Sequence, residues 1–223
     1  MILVIDSVLD GDQLAAVRHD LRDIRWQDGT RTAGRTASQV KRNAQADLTT
    51  RSGSRLRDRL FACIQSHPVL NAAAQPARFS PLLLSRTEAG GGYGLHHDNA
   101  VMGREAAAMR TDLSYTLFLS DPDDYDGGTL TLDLPGERRS FKCPAGSLLL
   151  YPSTSLHQVD DIGSGVRLAA VGWIESRQKH GEHREVLFDL ENLRATLSQS
   201  HADQSDPMLV LGKVIANLKR LLS

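Results

Sequence analysis

The chain predicts a mainly β domain of the α+β class, a β-sandwich or jelly-roll barrel with flanking helices. Three observations carry that expectation. Between residues 79 and 174, short runs of alternating apolar and polar residues recur, separated by Gly, Pro and Asp clusters. Such runs read as antiparallel strands packed on one face. On either side of that region the apolar spacing changes to three and four, the period of amphipathic helices. The 223 residues suit one domain of barrel size with a small appendage.

Taken in order, residues 10–25 predict a helix with Leu14, Val17, Leu21 and Ile24 on one face and Asp10 or Asp12 as its cap. Residues 27–53 are polar and turn-rich, carrying Arg31, Arg35, Lys41, Arg42 and Arg51 against Asp28 and Asp47. A loop of that length is a lid, a binding loop or disordered, with a solvated basic loop as the plain alternative. Residues 54–64 predict a second helix, capped by Ser54, with Leu56, Leu60, Phe61 and Ile64 inward and His67-Pro68 at its end. Strands are expected over residues 79–86, 113–119, 129–134, 141–144, 147–151 and 166–174. Residues 88–92, 121–128 and 135–137 turn the chain, and residues 102–109 make a short excursion. Past Ser176 the composition becomes helical again, over residues 185–197 and 207–222. There Leu211, Val214, Ile215, Leu218 and Leu222 form a stripe that packs on the core, with a homodimer contact as the alternative. The expected division is a β domain with N-terminal helices over 1–175 and a helical extension over 176–223.

Composition narrows the function. A net charge of −1 gives no general pull toward nucleic acid or an anionic membrane. No run approaches the roughly 20 apolar residues of a membrane span. The segment Met1-Ile2-Leu3-Val4-Ile5-Asp6 lacks the basic region of a signal peptide and reads as a first strand. The expectation is a cytoplasmic protein without nucleic-acid or membrane partners, its Cys63 and Cys143 two separate thiols.

The chemistry gathers around Gly91-Gly92-Tyr93-Gly94-Leu95-His96-His97-Asp98. On a strand or bend, side chains two apart share a face, so His96 and Asp98 can grip one ion while His97 points away. His157, after a later strand, supplies a second imidazole. Two imidazoles and a carboxylate on one face of an octahedron form the facial triad of non-haem Fe(II) oxygenases. The absence of thiolate argues against a closed structural zinc site. Arg167 follows ten residues later on a strand-like run, on the face of Ala169, Val171 and Trp173. A guanidinium on such a face needs an anionic partner, which a dicarboxylate co-substrate supplies bidentately. Three other patterns are set aside. The glycines before Tyr93 lack the Lys-Ser/Thr of a P-loop. The acids of residues 121–128 lack calcium-loop spacing. His180 and His183 have no evident third ligand.

Several segments resemble one family. They include Trp26-Gln27-Asp28-Gly29 with Thr32-Ala33-Gly34, Val40 to Gln45, Tyr93 to Ala100, and Arg110-Thr111-Asp112-Leu113-Ser114. Tyr125-Asp126-Gly127-Gly128, Pro144-Ala145-Gly146, Tyr151 to His157, Gly165-Val166-Arg167 and Leu187-Phe188-Asp189-Leu190 continue the series. Together, in this order, they resemble the PKHD-type hydroxylases, Fe(II)/2-oxoglutarate-dependent dioxygenases related to the prolyl 4-hydroxylases. The resemblance implies a double-stranded β-helix (jelly roll), iron on His96, Asp98 and His157, and 2-oxoglutarate on Arg167. It also implies Tyr93 as a donor to the 2-oxoglutarate carboxylate. It favours a lid over residues 27–53, with Lys41, Arg42 and Asn43 as substrate contacts. Fe(II), 2-oxoglutarate, O2 and L-ascorbate are the implied cofactors. The implied reaction hydroxylates a small-molecule or peptide substrate, with release of succinate and CO2. Ser85-Arg86-Thr87 departs from the family's Asn-Arg-Tyr and removes an aromatic pocket wall. Two alternatives stay open. One is a non-catalytic iron- and 2-oxoglutarate-binding sensor of the same fold. The other is a cupin-like zinc or manganese enzyme, for which the extra His or Glu ligand is missing near His96.

Overall fold

A computed structural model describes residues 1–32 and 37–222, with backbone alone at residues 31, 32 and 37. The expectations placed on Ala33, Gly34 and Arg35, and on the Arg31 and Thr32 side chains, lie outside the described residues. Two antiparallel sheets face each other in a double-stranded β-helix, as expected. The larger runs in the order β1 (Leu3–Ile5), β14 (Leu148–Pro152), β10 (Leu113–Phe118), β16 (Ile162–Ser176), β6 (Leu83–Glu88), β4 (Ala44–Ala46), β2 (Trp26–Asp28). Two further strands, β5 (Pro76–Phe79) and β11 (Tyr125–Gly127), pair with the long β16. The smaller sheet runs β13 (Glu137–Phe141), β12 (Leu130–Leu134), β15 (Leu156–Val159), β7 (Gly92–His96), β3 (Lys41–Arg42).

The central strand β10 is buried along its whole length, so both its faces pack. Leu113, Tyr115 and Leu117 face the helices. There they meet Val17 of α1 (Gly11–Asp20), Leu56, Leu60 and Ile64 of α2 (Arg51–Ser66), and Leu70 of α3 (Pro68–Ala74). Phe118 faces the smaller sheet and packs with Leu130, Leu132, Cys143, Leu149 and Tyr151. The same face carries Ser114 and Thr116 to a cavity between the sheets. A polar alternation inside an apolar strand thus builds a core on one side and a site on the other.

Several boundaries differ from expectation. The described part of residues 27–53 is not one long loop. Strands β2 and β4 extend one edge of the larger sheet and β3 extends the smaller one. The strands are two or three residues long and mostly polar, too short to show a period. The second helix starts at Arg51, not 54, because Thr50 rather than Ser54 accepts the Gly53 N–H as its cap. His67 closes α2 and opens α3 at once, since Pro68 suits a first helical position. The stretch 79–86 breaks into β5 and β6 around Ser80-Pro81, and residues 101–110 form the hairpin β8 (Val101–Met102) and β9 (Met109–Arg110). Strand β13 falls at 137–141 rather than 141–144, because a charged, exposed edge strand has no apolar alternation. At the C-terminal end, α4 (Gly181–Leu197) packs on α3, and α5 (Asp206–Leu221) packs on α4, with Lys219 bonded to Glu191 at 2.8 Å. In the stripe of α5, Ile215 is buried while Val214 is exposed. Among the described residues no helix is long and apolar enough to cross a membrane.

Candidate metal and co-substrate site

Antiparallel register brings the two histidines together. His157 of β15 stands directly opposite His96 at the end of β7, and Asp98 follows where the chain leaves the sheet. One ligand atom from each of the three lies within 4.8 Å of the others. Among the described residues this is the only such cluster of His, Cys, Asp and Glu. Both rings are anchored from behind. His96 Nδ1 lies 2.8 Å from the Gly94 carbonyl, and His157 Nδ1 lies 3.1 Å from the Ser155 carbonyl. A carbonyl only accepts, so each Nδ1 carries the proton and each Nε2 keeps its lone pair for a metal. His157 Nε2 is 3.8 Å from Asp98 Oδ2. Burial, and then the neighbouring His157, push the His96 pKa down to about 4, so the ring is neutral and ready to ligate at pH 7. The adjacent His97 is exposed and bonds the Asp98 carbonyl instead.

Arg167 is 3% exposed, and its Nε and Nη2 are buried without a hydrogen-bond partner. Burial lowers its pKa. Its Cζ sits 5.4 Å from the centre of the Phe118 ring. The backbone opposite is kept small. Gly128 has φ +62°, and a Cβ there would lie 3.1 Å from Arg167 Cδ and 2.3 Å from Ile162 Cδ1. A buried guanidinium with unpaired N–H groups is costly, and a carboxylate entering the cavity would relieve that cost. Tyr93 stacks on His96 with ring centres 3.6 Å apart. Burial, with Asp98 nearby, raises the Tyr93 pKa and keeps the phenol protonated as a donor.

The three residues expected to touch substrate take different directions. Lys41 and Asn43 line the cavity. Lys41 is 7% exposed, its ammonium 5.3 Å from the Tyr93 ring centre. Burial depresses its pKa to about 8, while Asp28 acts in the opposite sense. Asn43 Nδ2 donates to Ser85 Oγ at 2.6 Å. Arg42, between them, points outward to Asp161 Oδ1 at 2.5 Å and the Gly90 carbonyl at 3.3 Å. Arg42 thus turns away from the cavity that Lys41 lines, because neighbours on a strand face opposite ways. Ser85 and Thr87 both line the cavity, so that wall is built of short hydroxyl side chains where the family pattern would place an aromatic. Sequence reasoning missed Ser114, Thr116, Tyr151 and Gln45 in the lining. The Ser114 and Thr116 alternation within β10 was a usable signal; nothing local marked Tyr151 or Gln45. The His180 and His183 rings do meet, 4.9 Å apart, without a third ligand among the described residues.

The chain has clear relatives. Residues 82–175 match the 2OG-Fe(II) oxygenase superfamily. A PKHD-type hydroxylase of Hyphomonas neptunium is 48% identical over 221 residues, covering 99% of both chains. Among solved structures, a prolyl hydroxylase of Trichoplax adhaerens in complex with a hypoxia-inducible-factor peptide fragment aligns with TM-score 0.59 at 16% identity. The alignment covers 83% of this chain and 86% of that one. HygX of Streptomyces hygroscopicus, with nickel and 2-oxoglutarate bound, aligns with TM-score 0.52 at 17% identity, over 78% and 82%. At these identities the two structures establish the double-stranded β-helix fold.

Proposed function

We propose a function from one premise: the chain belongs to the PKHD-type hydroxylases, within the 2OG-Fe(II) oxygenase superfamily. It is accordingly an enzyme of the hydroxylase class. In our reading His96, Asp98 and His157 hold Fe(II), and Arg167 pairs bidentately with the distal carboxylate of 2-oxoglutarate. The observation that carries this reading is the pairing of two features in one cavity: three convergent ligand atoms, and a buried guanidinium with two unpaired nitrogens. The donor set fits Fe(II), being nitrogen and oxygen without thiolate. Together with 2-oxoglutarate and O2, bound Fe(II) supplies the oxidising power to replace a substrate C–H by C–OH, with succinate and CO2 released.

The chain's own residues position and shield. The Gly94 and Ser155 carbonyls fix the tautomer and tilt of the two imidazoles. The Tyr93 ring stacks on His96, and its phenol would donate to the co-substrate carboxylate. Lys41, with Asn43, Ser85 and Thr87, forms the polar wall that meets the substrate. That wall suits a small acid, an amino acid or a peptidyl residue with a polar or anionic group. The test is succinate release by Fe(II)-loaded protein across a panel of amino acids, short peptides and small carboxylic acids, with and without L-ascorbate. Asp98→Ala serves as the blank. At least one substrate class should raise succinate well above that blank. No rise with any of them would favour a non-catalytic sensor.

A further inference from the structure

Two serines stand behind Asp98. Ser114 Oγ lies 2.6 Å from Asp98 Oδ2, and Ser153 Oγ lies 2.7 Å from Ser114 Oγ. Ser114 is 1% exposed and Ser153 4%. Each stands on a different part of the larger sheet. Ser114 is on β10, and Ser153 follows β14 and is tied by its N–H to the Asp112 carbonyl at 3.1 Å. Asp98 belongs to the segment leaving the smaller sheet. The contacts therefore bridge the two sheets at the metal ligand.

The direction of the protons follows from chemistry. An ionised carboxylate only accepts, so Ser114 must donate to Asp98. A hydroxyl has one hydrogen, so the contact between the serines requires Ser153 to donate to Ser114. We infer that Ser153 and Ser114 form a one-way hydroxyl relay, two positioning residues that fix the plane of the Asp98 carboxylate and so preorganise the metal site. This inference rests on the assignment of Asp98 as a metal ligand. Rotation of the carboxylate about its Cβ–Cγ bond breaks a short charge-assisted bond, so the ligand arrives already oriented. Because the Ser114 oxygen accepts from Ser153, its own hydrogen is a stronger donor to Asp98; the second serine acts only through the first.

That dependence makes the relay testable by a double-mutant cycle on Mn(II) affinity. The full-length metal-free chain is titrated by calorimetry, with melting temperature recorded in parallel. Ser114→Ala should weaken Mn(II) binding by about 10- to 100-fold, the usual effect of losing an outer-shell partner. Ser153→Ala should weaken it less, by about threefold, since it removes only the polarisation of an intact bond. The double variant should bind like Ser114→Ala alone, because Ser153 has no route to Asp98 without Ser114. Ser114→Thr, which keeps a hydroxyl, should restore affinity, and it covers the case that Ser114→Ala folds poorly. Two results overturn the relay while wild type still binds Mn(II): Ser114→Ala within twofold of wild type, or a Ser153→Ala loss that persists undiminished when Ser114 is already Ala. A fall in melting temperature without a change in affinity would reduce both serines to structural roles. Failure of wild type to bind Mn(II) would instead remove the metal assignment, and the relay with it.

Discussion

Arg167→Met separates two quantities that a buried arginine couples. The guanidinium is 3% exposed, with two nitrogens that find no protein partner, and a buried charge left in that way is costly to the fold. Methionine has a similar length and no charge. Replacing buried ionic groups by apolar side chains of like volume ranges from neutral to stabilising by roughly 1–4 kcal/mol, and each kcal/mol moves a chain of this size by about 2–4 °C. The melting temperature of the ligand-free variant should therefore rise by several degrees. Affinity for 2-oxoglutarate should move the other way. Its distal carboxylate would enter a closed cavity without a counter-charge, and removing one partner of such a pair costs roughly 3–5 kcal/mol. That corresponds to about two to three and a half decades in Kd. Metal affinity should stay within a few-fold, because Arg167 lies outside the three-residue ligand cluster. Differential scanning fluorimetry gives the first quantity, calorimetric titration of Mn(II)-loaded protein with 2-oxoglutarate the second, and Mn(II) titration the third. Equal loss of metal and 2-oxoglutarate binding, or 2-oxoglutarate affinity within threefold of wild type, would refute the assignment of Arg167.

Three further outcomes are expected. Gly128→Ala should destabilise the fold and weaken 2-oxoglutarate binding together, because its Cβ falls 2.3 Å from Ile162 Cδ1 at φ +62° and presses on Arg167; thermal melts and the same titration check both. Arg42→Ala should cost no more than about 1 kcal/mol, as an exposed ion pair does, and should leave 2-oxoglutarate and Mn(II) affinities unchanged in the same calorimetric titrations. Lys41 sets a pH dependence. Its pKa is about 8 folded and 10.5 as the ordinary value, so between those pH values the unfolded chain holds more protons. Stability should therefore rise from pH 8 toward 10.5, by at most about 1.4 kcal/mol per unit, and denaturant melts of Lys41→Met should lack that rise.

Much of the site was legible because its spacing reports topology. The i and i+2 positions of His96 and Asp98 say that both reach one face, and Arg167 beyond His157 marks the strand that brings a cation to the same cavity. The strands of the core were legible where one face is apolar, as in β10, β12 and β14. What stayed hidden has a common cause. Edge strands such as β3 and β13 are short or charged and carry no period, so the 27–53 segment read as a loop when it closes both sheets. Lys41, Arg42 and Asn43 looked equivalent in the sequence until β3 turned Lys41 and Arg42 to opposite sides and Asn43, just after it, met Ser85. Ser153 is far from Asp98 in sequence and has no motif of its own; only the packing of one sheet on the other brings it within reach.

In our reading, one cavity binds Fe(II) on His96, Asp98 and His157 and 2-oxoglutarate beside it. Its most direct test is anaerobic titration of the metal-free chain with Fe(II) and then 2-oxoglutarate, followed in the visible spectrum. A metal-to-ligand charge-transfer band should grow in with 2-oxoglutarate and be lost in His96→Ala and Asp98→Ala. Iron that binds without producing a band would contradict the claim, since the co-substrate would then not reach the metal held by His96, Asp98 and His157.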